Sequence, residues 1–239
     1  AIALFNIGYG FLRENNQRRE LKTLFGQYVP PAHVDQMLMN SQMATMEGES
    51  RHMTVLFSDI RSFTTISEGL KANKLKQMLN DFFTPITRTI FDNNGTIDKY
   101  VGDMVMAFWN APLFDENHAE HAVNAAMAMQ RMADELIPVF AARNLPEIHI
   151  GVGINTGDCV VGNMGSEQRY GYTVLGDAVN LASRLESQSR TYGVDVVIGE
   201  STATAVQARF ALLELDLIAV KGKSEAVRVF TIVGDMAML

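Results

Sequence analysis

The order of strand-like and helix-like segments after residue 51 constrains the fold of this chain more than any other feature. Short apolar runs typical of strands alternate with longer segments whose apolar residues recur at helical spacing. In chain order, the first half contains a strand at 53–58, helices at 64–70 and 72–92, a hairpin of 96–101 and 104–109, a helix at 118–143 and a strand at 148–154. This order predicts an α+β or α/β fold in which helices cover one face of a largely antiparallel sheet.

The second half continues the same alternation. It contains a hairpin of 159–161 and 172–175, a helix at 177–191, a strand at 194–198, a short helix at 200–207 and a closing strand pair near 210–219 and 226–233. The sequence therefore predicts one large domain over residues 51–239.

Composition excludes some partners and suggests a compartment. The chain has 239 residues with 20 basic and 27 acidic side chains, which gives a net charge of −7. A general nucleic-acid-binding protein needs a basic surface, so this balance argues against nucleic acid as a partner. Cys159 is the single cysteine, so we expect no internal disulfide, a reducing compartment and a buried thiol.

The segment before the domain has two interpretations. Residues 1–28 are predicted to be helical, and residues 29–50 form a connector that contains Pro30 and Pro31. Residues 1–12 are mostly apolar and basic residues follow them, a pattern typical of the cytoplasmic end of a membrane span. We therefore expect a cytoplasmic domain of a membrane protein, with the end of a transmembrane helix at its start. An amphipathic helix packed on the domain or a partner fits the same residues equally well.

Two aspartates are the first candidates for chemistry. Asp59 and Asp103 each lie where an apolar, strand-like run ends. Mg²⁺ prefers one or two carboxylates together with phosphate oxygens, and two ions about 3.5–4 Å apart can bind both the attacking and the leaving oxygen of a displacement. Turn and capping aspartates follow the same pattern, so the pair alone leaves both interpretations open.

Five segments in order resemble the class III nucleotidyl cyclases. They are FSDIRSFT at 57–64, DKYVGD at 98–103, GVGINTG at 151–157, LGDAVNLASRLE at 175–186 and VKGK at 220–223. The resemblance extends from about residue 51 to 233, and residues 24–31 look like the connector that often precedes the domain in membrane-anchored bacterial members. It implies a ferredoxin-like, palm-type βααβ core with an antiparallel-rich sheet covered by helices on one face, plus an N-terminal helix.

The resemblance also implies a reaction and a metal site. Family enzymes convert a nucleoside triphosphate to a 3′,5′-cyclic monophosphate and pyrophosphate. Asp59, Asp103 and the carbonyl of Ile60 would then hold two divalent ions, Mg²⁺ or Mn²⁺, in each site. The ions would lower the pKa of the 3′-hydroxyl and neutralise the phosphates.

The remaining phosphate and ribose contacts are implied in the same way. Free amides at the start of a helix suit phosphate, and the family uses the segment of Ser62, Phe63 and Thr64 for this, although ordinary capping by Ser62 or Thr64 is compatible with that role. Lys221 would contact the terminal phosphates. Asn180 would orient the ribose, and Arg184, four residues along the same helix face, would stabilise charge on the α-phosphate.

Two further positions indicate the base. Adenylyl cyclases of the family use a lysine that donates to the adenine ring and an aspartate or threonine that accepts from its amine, and guanylyl cyclases carry Glu and Cys or a similar pair. Lys99 and Thr173 occupy these positions and favour ATP. Because a hydroxyl can also donate, Thr173 is expected to discriminate less sharply than aspartate. The threonine variant is typical of the subgroup that resembles bicarbonate-responsive cyclases, so bicarbonate is a candidate effector.

Family active sites lie between two domains in a head-to-tail dimer. One subunit supplies the metal aspartates and the other supplies the purine, ribose and α-phosphate contacts. Because this chain carries both sets, the resemblance implies a homodimer with two shared sites.

Several alternatives remain at this stage. Guanylyl cyclase is one, and a non-catalytic cyclase-like module that only dimerises or senses is another. A diguanylate cyclase would show a Gly-Gly-Asp/Glu-Glu-Phe hairpin, whereas this hairpin has the sequence VGDM. His118 and His121 have a spacing that zinc ligands use, but exposed histidines at a helix start are the favoured interpretation.

Overall fold

The computed structural model describes residues 26, 28–29, 48–166, 169–219 and 226–237. The predicted N-terminal helix, most of the connector and Lys221 lie outside these residues. In the described part of the chain, no helix is long and apolar enough to cross a membrane.

The elements follow the order that the apolar pattern predicts. The strands are β1 (Glu49–Ile60), β2 (Thr96–Val101), β3 (Met104–Trp109), β4 (Ile150–Ser166), β5 (Arg169–Leu175), β6 (Val196–Gly199), β7 (Phe210–Ile218) and β8 (Val227–Asp235). The helices are α1 (Phe63–Gly69), α2 (Ala72–Asp92), α3 (His118–Ala141), α4 (Asp177–Tyr192) and α5 (Glu200–Val206). The predicted α+β class is confirmed.

The strands of the described residues form one mostly antiparallel sheet. Its order is β2-β3-β1-β4-β6-β8-β7, with β5 paired to β4 outside this path. β1 is an inner strand, antiparallel to β3 on one side and to β4 on the other. β4 and β6 run parallel. The end of β1 therefore lies beside both the β2–β3 hairpin and the start of β4.

The two faces of the sheet carry separate cores. Alternate residues of β1 contribute to each: Leu56 and Ile60 pack on the side of α2 and α3, whereas Val55 and Phe57 pack on the side of α4. The helices therefore cover both faces, which corrects the prediction of a single covered face. The reason lies in β4, where Gly153 has no side chain and lets the backbone of α4 pack directly on the strand.

One predicted loop is part of a strand. The sequence suggests separate strands at 148–154 and 159–161, but residues 150–166 form one continuous strand. Its first part pairs with β1 and its second part with β5. Residues 155–158, between the two apolar runs, therefore pair with β1 as part of the strand. Cys159, within this strand, is buried as predicted, and burial raises its pKa to about 11.

The two histidines at the start of α3 are not exposed, which corrects that expectation. Both are half-buried. His118 Nδ1 shares a hydrogen bond with the Thr54 hydroxyl at 2.7 Å. His121 Nδ1 lies 2.7 Å from a carboxylate oxygen of Asp115. Polar partners on β1 and in the loop before α3 explain why these side chains turn inward.

Candidate active site

The carboxyl groups of Asp59 and Asp103 meet at the end of β1. Asp103 lies in the tight turn between β2 and β3, where Gly102 adopts a φ of 66°, a conformation that glycine reaches without strain. The amide of Ile60 donates a hydrogen bond of 3.2 Å to Asp103 Oδ2. Burial, a side-chain hydrogen bond with Asp59 and the charge of Asp59 together raise the pKa of Asp103 to about 7.

This pair fits a divalent cation. Two carboxylates that share a hydrogen bond repel each other once both ionise, and a bound cation or a shared proton relieves that repulsion. Oxygen donors of this type are those that Mg²⁺ and Mn²⁺ prefer. Among the described residues, no group of three or more His, Cys, Asp and Glu side chains is placed to hold a metal. The described chain therefore offers two carboxylates there, which suits an ion that also binds substrate oxygens.

A cleft of about 160 Å³ opens beside Asp59. It is lined by Asp59, Ile60, Arg61, Glu186, Ser187, Ser189 and Arg190. Gly151 lies opposite Asp59 in the β1–β4 register, and a Cβ on Gly151 would lie 2.9 Å from Glu186 Oε1. The Ser189 hydroxyl, which would lie 2.3 Å from that Cβ, and the carboxylate of Glu186 thus share the space that glycine leaves next to Asp59. Burial and then the charge of Asp59 raise the pKa of Glu186 to about 7.

Arg61 ties the end of β1 to the loop after α4. Its guanidinium donates to the carbonyl of Val194 at 2.5 Å and to Asp195 Oδ1 at 3.2 Å. Its backbone amide donates to the carbonyl of His149 at 2.8 Å. These bonds fix the backbone directly after Asp59 and Ile60.

Lys99 and Thr173, distant in sequence, lie side by side. Lys99 Nζ donates a hydrogen bond to Thr173 Oγ1 at 3.3 Å. The Thr173 hydroxyl donates in turn to Asp98 Oδ2 at 2.6 Å. Lys99 Nζ also lies 3.1 Å from Asp98 Oδ1. Lys99 as a donor and Thr173 as an acceptor therefore lie next to each other at the surface, and both contact the Asp98 carboxylate.

A β-bulge places Asp98. The pairing of β2 with β3 shifts between Ile97 and Lys99, so that Asp98 is the extra residue. The Asp98 side chain is 1% exposed and the Lys99 side chain is 49% exposed. The bulge thus directs the carboxylate inward, towards Thr173 on β5, while the lysine beside it reaches solvent.

Asn180 and Arg184 share the exposed face of α4. The apolar side of this helix, which includes Ala178, Leu181 and Leu185, packs on the sheet and is buried. Asn180 and Arg184 are exposed, as the spacing of four predicts. Neither lines the cleft beside Asp59.

The predicted phosphate segment follows β1 directly. Ser62 precedes α1 with a left-handed φ of 58° and makes no side-chain capping bond to the helix. Ser62 and Thr64 are exposed, whereas Phe63 is half-buried and packs against the core. The side-chain capping that the sequence allowed for Ser62 is therefore absent.

The structure brings some predicted residues together and keeps others apart. Asp59 lies beside Asp103, and Lys99 lies beside Thr173. The pairing of Asp59 with Gly151 and of Thr173 with Gly162 places Asp59 and Thr173 towards opposite ends of β4. A single copy of the described chain therefore presents two partial groups.

Sequence reasoning missed two charged residues at these groups. Asp98 begins the 98–103 segment and had no predicted role, although a carboxylate inside a strand and next to a lysine is an unusual core residue. Glu186 closes the 175–186 segment. Its position two residues after Arg184 places it on a different helix face, which turns it towards Asp59 of its own chain.

Comparison with known proteins assigns the family. The model described as Adenylate and Guanylate cyclase catalytic domain matches residues 46–234. The protein belongs to this family, the class III nucleotidyl cyclases, and the family predicted from the ordered segments is confirmed.

Two of the curated relatives are named adenylate cyclases. Adenylate cyclase 1 of Rhizobium meliloti (strain 1021) is 34% identical over 219 residues, which are 92% of this chain and 33% of that protein. Adenylate cyclase of Anabaena cylindrica is 37% identical over 190 residues, which are 77% of this chain and 37% of that protein. The chain thus spans about a third of the length of these curated relatives.

Solved structures share the fold. The adenylyl cyclase CyaB from P. aeruginosa matches with a TM-score of 0.76 and 36% identity, over 81% of this chain and 99% of that chain. The guanylyl cyclase Cya2 matches with a TM-score of 0.74 and 34% identity, over 80% of this chain and 95% of that chain. The palm-type assignment of the domain is confirmed by these neighbours.

Proposed function

We propose that this chain is an adenylyl cyclase catalytic domain that converts ATP to 3′,5′-cyclic AMP and pyrophosphate. The observation that carries the choice of ATP is the pair of Lys99 and Thr173, which stand 3.3 Å apart as donor and acceptor. Two relatives that cover most of the chain are named adenylate cyclases. Together these observations favour adenine over guanine.

The reaction is an in-line displacement at the α-phosphorus. The 3′ oxygen forms a bond to the α-phosphorus, and the bond from that phosphorus to the oxygen that bridges to the β-phosphate breaks. Pyrophosphate leaves with the electron pair, and the proton of the 3′-hydroxyl passes to solvent water. Asp59 and Asp103, with the carbonyl of Ile60, would hold two Mg²⁺ or Mn²⁺ ions in the active dimer. When bound, the ions would lower the pKa of the 3′-hydroxyl and neutralise phosphate charge.

The remaining residues bind and orient ATP. Lys99 donates to a ring nitrogen of adenine and Thr173 accepts from the exocyclic amine. Asn180 orients the ribose. An arginine can donate to two oxygens at once, which suits Arg184 to the charge that develops on the α-phosphate.

Terminal phosphates bind next to the metal pair. The backbone around Ser62, Phe63 and Thr64 begins a helix within a few residues of Asp59, and free amides at the start of a helix suit phosphate. Lys221 contributes a positive charge to the same phosphates. Catalysis is therefore mostly positioning and charge stabilisation, as in other phosphoryl transfers.

Two copies of the chain form the active unit. Asp59 and Asp103 of one copy face Lys99, Thr173, Asn180 and Arg184 of the other, as the family resemblance implies. A two-fold dimer then contains two complete sites. Membrane attachment through the preceding segment, a cytoplasmic location and a response to bicarbonate are further proposals that rest on the sequence pattern.

The test is a nucleotide assay with the purified chain. ATP and GTP are supplied separately with Mg²⁺ or Mn²⁺, and cyclic AMP, cyclic GMP and pyrophosphate are measured beside Asp59→Ala and Asp103→Asn. We expect cyclic AMP from the parent and a loss of at least about a hundredfold in each variant. A parent that makes only cyclic GMP would establish guanylyl cyclase instead. A parent that makes neither product, or variants with undiminished rates, would overturn the proposal.

A further inference from the structure

Asp98 connects the two residues that contact the base. Its Oδ2 accepts the hydrogen of the Thr173 hydroxyl at 2.6 Å, and its Oδ1 lies 3.1 Å from the ammonium of Lys99. The carboxylate is almost fully buried, with a side chain that is 1% exposed. Removing a charge from water requires compensating partners, and these two side chains are the polar partners that the described residues place beside it.

The contact with Asp98 determines what Thr173 can offer a ligand. A hydroxyl has one hydrogen and two lone pairs. Because the short bond to a carboxylate is stronger than one to a neutral acceptor, the hydrogen stays on the side of Asp98. Towards a bound base, the Thr173 oxygen can then only accept. This removes the ambiguity of a hydroxyl, which elsewhere donates or accepts according to its partner.

The resulting pattern is complementary to adenine and not to guanine. The Lys99 ammonium only donates, and Thr173, so oriented, only accepts. Adenine presents a ring nitrogen that accepts and an amine that donates. In guanine the two positions are exchanged: an accepting carbonyl replaces the amine and a donating N–H replaces the ring nitrogen. Lys99 would then face a donor and Thr173 would face an acceptor.

We infer that Asp98 is a positioning residue for nucleotide choice: it holds the Thr173 hydroxyl as an acceptor and Lys99 beside it. This inference rests on the proposed function. A purely structural role, in which the carboxylate only joins β2 to β5, predicts a different result on substitution. It would lower the rates with ATP and GTP together, whereas the positioning role changes their ratio.

Asp98→Asn provides the direct test. Lys99 keeps the amide oxygen on its own side, because an ammonium repels an NH₂ group, so the new amide turns its NH₂ towards Thr173. Thr173 then accepts from the amide and its own hydrogen is free to donate to a guanine carbonyl. We expect the ratio of kcat/KM for ATP to kcat/KM for GTP to fall by at least about tenfold.

Two further variants keep the test decisive. Asp92→Asn makes the same substitution at the exposed end of α2 and should leave the ratio unchanged. Thr173→Val leaves the Asp98–Lys99 pair in place and should also lower the ratio of kcat/KM for ATP to that for GTP. This variant tests whether the Thr173 hydroxyl sets the ratio even where Asp98→Asn does not fold. In the double variant, Asp98→Asn should add no further change to the ratio, because it acts through the hydroxyl that valine lacks.

The outcomes separate this inference from the function beneath it. A parent that cyclises neither nucleotide overturns the proposed function, and this inference with it. An active parent whose nucleotide ratio persists in folded Asp98→Asn overturns the inference alone. A ratio that persists in Thr173→Val overturns the inference together with the adenine contact proposed for Thr173. Equal losses with both nucleotides would assign Asp98 a structural role and would also overturn it.

Discussion

The carboxyl groups of Asp59, at the end of β1, and Asp103, in the turn between β2 and β3, lie within hydrogen-bonding reach of each other. The register explains their approach, because the end of β1 lies beside the β2–β3 turn and the Ile60 amide donates to Asp103. Burial and the neighbouring charge raise the pKa of Asp103 to about 7. A pair that resists double ionisation is a pair that a divalent cation stabilises.

Metal binding should therefore stabilise the folded chain. At a Mg²⁺ concentration about a hundred times its dissociation constant, linkage gives roughly 2.7 kcal/mol, or a rise in Tm of roughly 5–10 °C. We expect Asp59→Asn and Asp103→Asn to lose most of this rise in a thermal melt, while Asp92→Asn retains it. Addition of EDTA should return the parent to its metal-free Tm. An equal metal-dependent rise in all four proteins would place the ion elsewhere.

Gly153 allows α4 to pack on the sheet. A Cβ at this position would lie 2.1 Å from the amide nitrogen of Glu186 and 2.4 Å from the carbonyl oxygen of Ala182, both backbone atoms that cannot move alone. We expect Gly153→Ala to lower the free energy of unfolding by at least about 3 kcal/mol, measured by urea denaturation.

Gly69 provides the matched control. A Cβ there would meet nothing within 4 Å, and the residue ends α1 at an exposed position. Gly69→Ala should be neutral or should stabilise by about 0.5–1 kcal/mol through reduced freedom of the unfolded chain. Similar denaturation midpoints for the two variants would show that the close contact at Gly153 is not what fixes α4.

Much of the fold was predictable because its signals are local. The helices after β1 and the hairpin around Gly102 and Asp103 were placed within a few residues, since apolar period and turn residues specify them. The position of α4 was not. The helix packs on β4 at Gly153 because that residue has no side chain. From sequence alone, a glycine in a strand can equally indicate a bulge or a sharp bend.

The burial of His118 should make stability depend on pH. Burial lowers its pKa from 6.5, and the charges of His52 and His121 add to this, while Asp115 opposes it. Because the folded state favours the neutral ring, the unfolded chain binds more protons as the pH falls below 6.5, and stability is lost there. Below about pH 6.5 the Tm of the parent should fall relative to that of His118→Gln. The raised pKa values of Asp103 and Glu186 favour the folded state at lower pH in both proteins, so their effect cancels in this difference. His149→Gln, at an exposed histidine, should follow the parent, and a parental slope in His118→Gln would contradict the assignment.

The candidate site was predictable only in part, for a physical reason. Lys99 and Thr173 were chosen by family resemblance, and their contact at 3.3 Å joins β2 to β5, two strands that are not neighbours in the sheet. The role of Asp98 depends on a β-bulge that turns its side chain inward. The alternation of apolar and polar residues along the strand does not predict this bulge. Glu186 beside Asp59 likewise depends on the missing side chain of Gly151, a long-range relationship between strand and helix.

The central claim is that two copies of the chain complete each site, and complementation tests it most directly. Asp59→Ala and Arg184→Ala chains, each inactive alone, are mixed with different tags so that heterodimers can be isolated and measured. Since half of randomly mixed dimers are heterodimers with one intact site, we predict about a quarter of parental cyclic AMP production. A mixture of Asp59→Ala with Asp103→Asn, both altered in the same half, should stay inactive. Demonstrated heterodimers of the first mixture without activity would contradict the account.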